Sequence, residues 1–155
     1  MNFKAIILAA GKGTRMKSKN PKVVHKVCGK EMVNHVIDIS NKSGVNDVVV
    51  ILGHGSETVK NVIPQDAIVV MQTEQLGTGH AVKMAKDTIN DDDIIVVLCG
   101  DTPLIEEETL KKLFDYHLEN EYMATVLTTK VDDPTGYGRV IRDSEGNFEK
   151  IVEQK

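Results

Sequence analysis

The chain has 155 residues, 41% hydrophobic and 27% charged, with a formal net charge of −4. That is enough for one domain with a real core, and the acidic balance argues against a nucleic-acid surface. No run approaches a membrane span and no leader pattern opens the chain, so the expectation is a cytoplasmic protein without a membrane partner.

An apolar run over residues 5–8 reads as a buried first strand, which stops at Gly11-Lys12-Gly13-Thr14-Arg15. Residues 32–41 read as a helix with Val33, Val36, Ile37 and Ser40 on one face. The Val/Ile-rich residues 47–52 form a second strand, continuous enough to be buried on both faces. A short helix opens at Ser56-Glu57 and runs to Val62, with Pro64 beyond it. Residues 68–71 are a third strand, and 79–86 a helix with Thr78 as N-cap. Residues 94–99 are a fourth strand ending at Cys99, which is expected to be a small buried residue. The preceding Asp91-Asp92-Asp93 is expected to be a solvated turn. Residues 107–119 form a helix with Leu110, Leu113, Phe114 and Leu118 inward, and 123–129 a fifth strand. Residues 140–141 and 148–152 flank Asp143-Ser144-Glu145-Gly146 as a hairpin.

This alternation predicts an α/β fold with right-handed β-α-β units and a mostly parallel sheet. Ligands of such sheets bind beyond the carboxyl ends of the strands. Three groups follow strand ends there: Gly11 to Arg15, then Gln72 with Gly77-Thr78, then Gly100-Asp101. They are placed to converge on one ligand.

Each group has its own chemistry. Glycines let a backbone approach an anion, and Arg15 and Lys22 add charge, so the first loop suits a polyphosphate. It is neither a P-loop nor a dinucleotide fingerprint, because Met16 stands where both patterns need glycine. Asp101 at a strand end facing such a loop is a natural Mg²⁺ ligand, although Gly-Asp-Thr-Pro is equally good turn chemistry. Gln72 donates and accepts, which suits a nucleobase edge. The histidines at 25, 35, 54, 80 and 117 show no metal-ligand spacing; His54, in a loop at the same edge, is a weak candidate for ligand contact. Cys28 and Cys99 lack C-x-x-C spacing, which argues against zinc, and a disulfide is not expected in a reducing compartment.

Leu8-Ala9-Ala10-Gly11-x-Gly13-Thr14-Arg15-Met16 with Pro21-Lys22 resembles the signature of sugar-1-phosphate nucleotidyltransferases. Three further stretches carry the resemblance: Gln72-Thr73-Glu74-Gln75-Leu76-Gly77-Thr78-Gly79-His80-Ala81, Gly100-Asp101-Thr102-Pro103-Leu104, and Asp133-Pro134-Thr135-Gly136-Tyr137-Gly138-Arg139. Together they resemble the uridylyltransferase domain of the bacterial bifunctional N-acetylglucosamine-1-phosphate uridyltransferase/glucosamine-1-phosphate acetyltransferase family. The resemblance runs from residue 3 to the end of the chain.

It implies a Rossmann-like three-layer nucleotidyltransferase fold, with residues 1–155 as the N-terminal, nucleotide-binding portion of that domain. It implies that Leu8, Ala9, Ala10, Gly11, Gly13 and Gln72 contact the nucleotide, with Gly77 and Thr78 beside the base. Arg15 and Lys22 would act in catalysis by neutralising phosphates, Asp101 would hold Mg²⁺, and Gly138 and Glu153 would contact the amino sugar. The implied partners are UTP, N-acetylglucosamine 1-phosphate and pyrophosphate. Cys99 stands where family members often carry tyrosine. The sequence ends directly after a strand, before the family's second metal-binding asparagine, so the fold reads as truncated at the C-terminus, with weak or no turnover expected. The family's acetyltransferase β-helix is not expected within these 155 residues, which show no hexapeptide repeat. A related nucleotidyltransferase of other specificity and a non-catalytic nucleotide-binding module are the alternatives. The exposed strand edge leaves pairing between copies, a homo-oligomer, open.

Overall fold

A computed structural model describes residues 2–11, 13 and 16–153. They fall into two units, Met1–Asp115 and Tyr116–Lys155.

The first unit is organised by four parallel strands in the order β5-β4-β1-β6: β1 (Asn2–Leu8), β4 (Asp47–Leu52), β5 (Ile68–Met71) and β6 (Asp93–Cys99). Side-chain alternation divides the core into two layers. Ile7, Val50, Leu52, Val96 and Leu98 point to one face, where they meet Val33, Val36 and Ile37 of α1 (Met32–Lys42) and Leu110 and Phe114 of α4 (Glu107–Glu119). Phe3 stacks on Phe114 with ring centroids 4.7 Å apart. Ile6, Val49 and Ile51 point to the other face, against Ala81 and Ala85 in and just after α3 (Thr78–Met84). Helices on both faces of a parallel sheet give the three-layer α/β architecture, and residues 5–8 of β1 and 48–52 of β4 are apolar because both their faces are covered. Each fully buried Ile or Leu contributes about 2 kcal/mol of burial free energy.

Charge enters this core at one point. Lys4, 4% exposed on β1, donates to the carbonyl of Thr88 and pairs with Asp93 at 3.1 Å and Asp47 at 3.8 Å. It joins the amino ends of three neighbouring strands, β4, β1 and β6. Asp93 is therefore not part of a solvated turn: its side chain is 3% exposed and also accepts from the backbone N–H of Asn90 and from Asn2. These contacts, the Asn90 N–H first and then Lys4, lower its pKa from 3.8 to about 2.

Residues between β1 and α1 carry structure that hydrophobic patterning missed. A 3₁₀ turn spans Lys22–Val24, and β2 (Lys26–Val27) pairs antiparallel with β3 (Lys30–Glu31). Cys28 and Gly29, with φ of 51° and 84°, form the two-residue turn. α2 (Ser56–Lys60) is shorter than expected. Thr78 is the first residue of α3 rather than its cap; that position falls to Gly77, without a side-chain cap bond.

In the second unit, β7 (Arg139–Arg142) and β8 (Phe148–Val152) form the expected antiparallel hairpin, with a register irregularity at Ile141/Arg142. The expected strand over 123–129 is not formed. Its β-branched composition favours extended backbone, but a strand requires a hydrogen-bonding neighbour, and no described residue supplies one. Met123, Val126 and Leu127 are exposed, and His117 Nδ1 meets Thr125 Oγ1 at 2.9 Å.

Candidate functional site

The strand order reverses at β1, with β4 on one side and β6 on the other. That switch point opens a crevice at the carboxyl ends of the strands. It holds a cavity of about 670 Å³ lined by Leu8, Ala10, Gly11, Gly13, Met16, Lys22, Val23, Gln72, Gln75, Gly77, Thr78, Ala81, Cys99 and Asp101. The three sequence groups do converge.

The first wall is built by close backbone approach. Gly13 sits at φ +58°, and a Cβ there would lie 2.8 Å from the Cβ of Lys22; only glycine lets the loop fold over that lysine. Pro21 is seated the same way on Gly55, where a Cβ would meet the Pro21 ring at 2.6 Å. Gly100 donates its N–H to Leu8 O at 3.0 Å, and a Cβ on it would approach that oxygen to 3.1 Å. The Gly-Asp pair thus serves packing at Gly100 and chemistry at Asp101.

Lys22 and Asp101 meet across the cavity wall with Nζ 2.7 Å from Oδ2, each side chain about one third exposed at 36% and 35%. The ion pair lies at the cavity but is open to solvent. Of the other nearby lysines, Lys26 pairs with Glu31 and Lys30 with Asp38, so it is Lys22 that brings positive charge to the cavity among the described residues.

The second wall is polar, with Gln72 as its buried member. Gln72 is 5% exposed, its N–H donates to Leu52 O at 2.7 Å, and its Nε2 lies 3.3 Å from Gly77 O and 3.0 Å from His80 Nδ1. Gln75 Nε2 donates to Ala10 O at 3.0 Å, tying the loop after β5 to the loop after β1.

Several expectations need correction or placement. Cys99 is exposed and lines the cavity rather than filling the core, because alternation along β6 turns Val96 and Leu98 inward and Cys99 to the other face. Partial burial, and then the nearby charge of Asp101, push its thiol up, with Lys22 opposing; that suits a cavity wall and not a nucleophile. Ala9 does not line the cavity: its methyl is in the core and its N–H is taken by Ile51 O at 2.9 Å. His54 is exposed and does not line it either. Arg15 lies outside the described residues. Gly138 and Glu153 sit together at the open end of the β7–β8 hairpin, a Cβ on Gly138 falling 3.3 Å from Glu153 Oε1. Gln75 and His80 were not singled out from sequence as site residues, and Met16 was read only as the residue that excludes two other glycine loops. Gln75 and His80 fall inside the quoted Gln72 to Ala81 stretch, but nothing in their residue types marked them.

A divalent cation fits the donor set in one way. No group of three or more His, Cys, Asp or Glu side chains converges among the described residues, so these side chains alone do not cage a metal. Asp101, already neutralised by an ammonium at 2.7 Å, offers the single carboxylate that Mg²⁺ uses when phosphate oxygens and water complete its shell.

Comparison with known proteins gives the family. The model of the MobA-like NTP transferase domain matches residues 5–148, and the chain belongs to that family. It is homologous to the bifunctional protein GlmU: that of Clostridioides difficile (strain 630) is 75% identical over 155 residues, covering 100% of this chain and 34% of that protein. That of Alkaliphilus oremlandii (strain OhILAs) is 58% identical with the same coverage. The chain spans about a third of the length of these curated relatives. Among solved structures, a UDP-glucose pyrophosphorylase from Acinetobacter baumanii shares the fold with a TM-score of 0.77 at 20% identity, over 99% of this chain and 68% of that one. Rv0371c from Mycobacterium tuberculosis H37Rv, solved in complex with manganese, gives a TM-score of 0.62 at 20% identity, over 74% of this chain and 59% of that one.

Proposed function

We propose that this chain is the nucleotide-binding portion of a uridylyltransferase domain that joins UTP to N-acetylglucosamine 1-phosphate, giving UDP-N-acetylglucosamine and pyrophosphate. The observation that carries this reading is the Lys22–Asp101 pair on the wall of a switch-point cavity that also holds Gln72. A cationic side chain, a single carboxylate and a buried amide are what a base with a metal-bound triphosphate requires. The homology to GlmU supports the choice of substrates.

In this reading a phosphate oxygen of the sugar phosphate attacks the α-phosphorus. The new P–O bond forms as the bond to the β-phosphate oxygen breaks, and the electron pair leaves with pyrophosphate. No covalent enzyme intermediate is required, so the residues contribute position and charge. Lys22 turns from Asp101 to the phosphates, with Arg15 assigned to the same task. Asp101 would hold Mg²⁺, which would supply neutralisation of phosphate charge. Gln72, with Gly77 and Thr78, holds the base; Leu8, Ala10, Gly11 and Gly13 line the cavity for the rest of the nucleotide. Gly138 and Glu153 are assigned to the amino sugar, and the cytoplasm is the expected location.

The test is calorimetric binding of UTP with Mg²⁺, against ATP and NAD, together with pyrophosphate release on adding N-acetylglucosamine 1-phosphate. Mg²⁺-dependent, UTP-selective binding is expected. Equal binding of ATP, or binding indifferent to Mg²⁺, overturns the reading.

A further inference from the structure

The hydrogen bonds around Gln72 fix which end of its amide faces the cavity. The carbonyl oxygen of Gly77 only accepts, so the amide end 3.3 Å from it is the NH₂ group. The same nitrogen lies 3.0 Å from His80 Nδ1. That ring nitrogen must then be the acceptor, with the imidazole proton on Nε2. Both amide hydrogens are used behind Gln72. What this cavity-lining side chain presents to a ligand is its carbonyl oxygen, Oε1.

That orientation distinguishes pyrimidines. Uracil carries a hydrogen on N3 and donates to a carbonyl oxygen. Cytosine carries a lone pair on N3, which would face the lone pairs of Oε1. We propose that His80 is a positioning residue for base selectivity: by accepting from Gln72 Nε2 it holds Oε1 toward the ligand, so the site takes a pyrimidine with an N3–H and rejects cytosine. This rests on the uridylyltransferase reading. The amide is buried, so reversing it would set its carbonyl oxygen against Gly77 O, two acceptors with no donor between them, and would force the imidazole of His80 to move its proton from Nε2 to Nδ1. Without the imidazole acceptor, only the longer bond to Gly77 opposes that reversal, and the NH₂ it would then present matches cytosine.

The experiment measures UTP and CTP affinity, each with Mg²⁺, for the full 155-residue chain and its His80→Leu and His80→Asn variants, all shown folded by circular dichroism. The unsubstituted chain is expected to prefer UTP. His80→Leu lowers the UTP-to-CTP ratio about tenfold, the scale of one oriented hydrogen bond. His80→Asn, whose Oδ1 accepts near the place of Nδ1, keeps most of the ratio. A chain with no preference for UTP overturns the uridylyltransferase reading and the inference with it. A UTP-selective chain whose ratio survives His80→Leu overturns the inference alone. So does an equal loss of both nucleotides in the two variants, which marks a merely structural role, or an asparagine variant that behaves like leucine.

Discussion

Lys22 Nζ lies 2.7 Å from Asp101 Oδ2, joining residues 79 positions apart on the wall of the cavity. The ammonium stands against the carboxylate that the proposed reading gives to a divalent cation, so the two cations compete for one oxygen. The nucleotide resolves the competition by offering Lys22 phosphate oxygens instead. Lys22→Met should therefore tighten the binding of Mn²⁺ alone several-fold, followed by electron paramagnetic resonance. The same variant should weaken UTP about tenfold through loss of a charge-assisted phosphate contact. Unchanged Mn²⁺ affinity in the variant would show that Lys22 does not guard Asp101.

In the loop after β1, Gly13 should be less replaceable than Gly11, whose Cβ position has nothing within 4 Å. Alanine there would hold a left-handed backbone at φ +58° and place its methyl 2.8 Å from Lys22 Cβ, costing about 1–2 kcal/mol in conformation alone. Because the strain falls on a loop, Gly13→Ala should lower UTP affinity about tenfold while the urea midpoint moves little. Gly79 is the contrast: it lies inside α3 with nothing within 4 Å of its Cβ position, so Gly79→Ala should raise stability by up to about 1 kcal/mol. Equal losses of affinity in the two variants would remove the steric argument.

Lys4 and Asp93 govern acid stability. The folded state holds the Asp93 carboxyl at about 2 against an ordinary 3.8. Its contribution is complete above about pH 4 and is lost as pH falls toward 2, because the unfolded chain takes up the proton first. Asp93→Asn should flatten the fall in the urea midpoint between pH 4 and 2; an identical slope in the variant would assign the acid transition to other groups. Lys4→Met, which leaves Asp93 to Asn90 and Asn2 alone, should lower the urea midpoint at pH 7.

What the sequence disclosed follows from where local signals and tertiary demands coincide. The strands at Asp47–Leu52 and Ile68–Met71 and the helix Glu107–Glu119 have the bounds read from periodicity: the first packs an apolar run into the core, the second is held by its pairing with the first although it stays largely exposed, and the helix turns Leu110 and Phe114 inward. The segment 123–129 has the same local signal, but pairing is a property of neighbours and not of composition. Asp93 and Lys4 were illegible for a related reason: a charge joining three strand ends looks, one residue at a time, like a surface charge. At the site, glycines and Asp101 were readable as residue types at strand ends. The Gln72–His80 bond and the Gln75–Ala10 tie depend on side-chain geometry that spacing does not encode.

Cys99 offers a reporter of the cavity. Its thiol is held above its ordinary value of 9.0 by burial and then by Asp101, with Lys22 opposing, so alkylation in a Cys28→Ser background should be slow near pH 7.5 and still rising above pH 9. Asp101→Asn removes a charge that raises the thiol and leaves Lys22, which lowers it; the variant should therefore alkylate faster at pH 8. Because Cys99 shares the cavity with Gln72 and Asp101, saturating UTP with Mg²⁺ should slow labelling at least several-fold in the unsubstituted site and have little effect in Asp101→Asn. Mass-spectrometric labelling rates measure all three comparisons. A rate that ignores UTP in a chain shown to bind it would place the nucleotide outside this cavity.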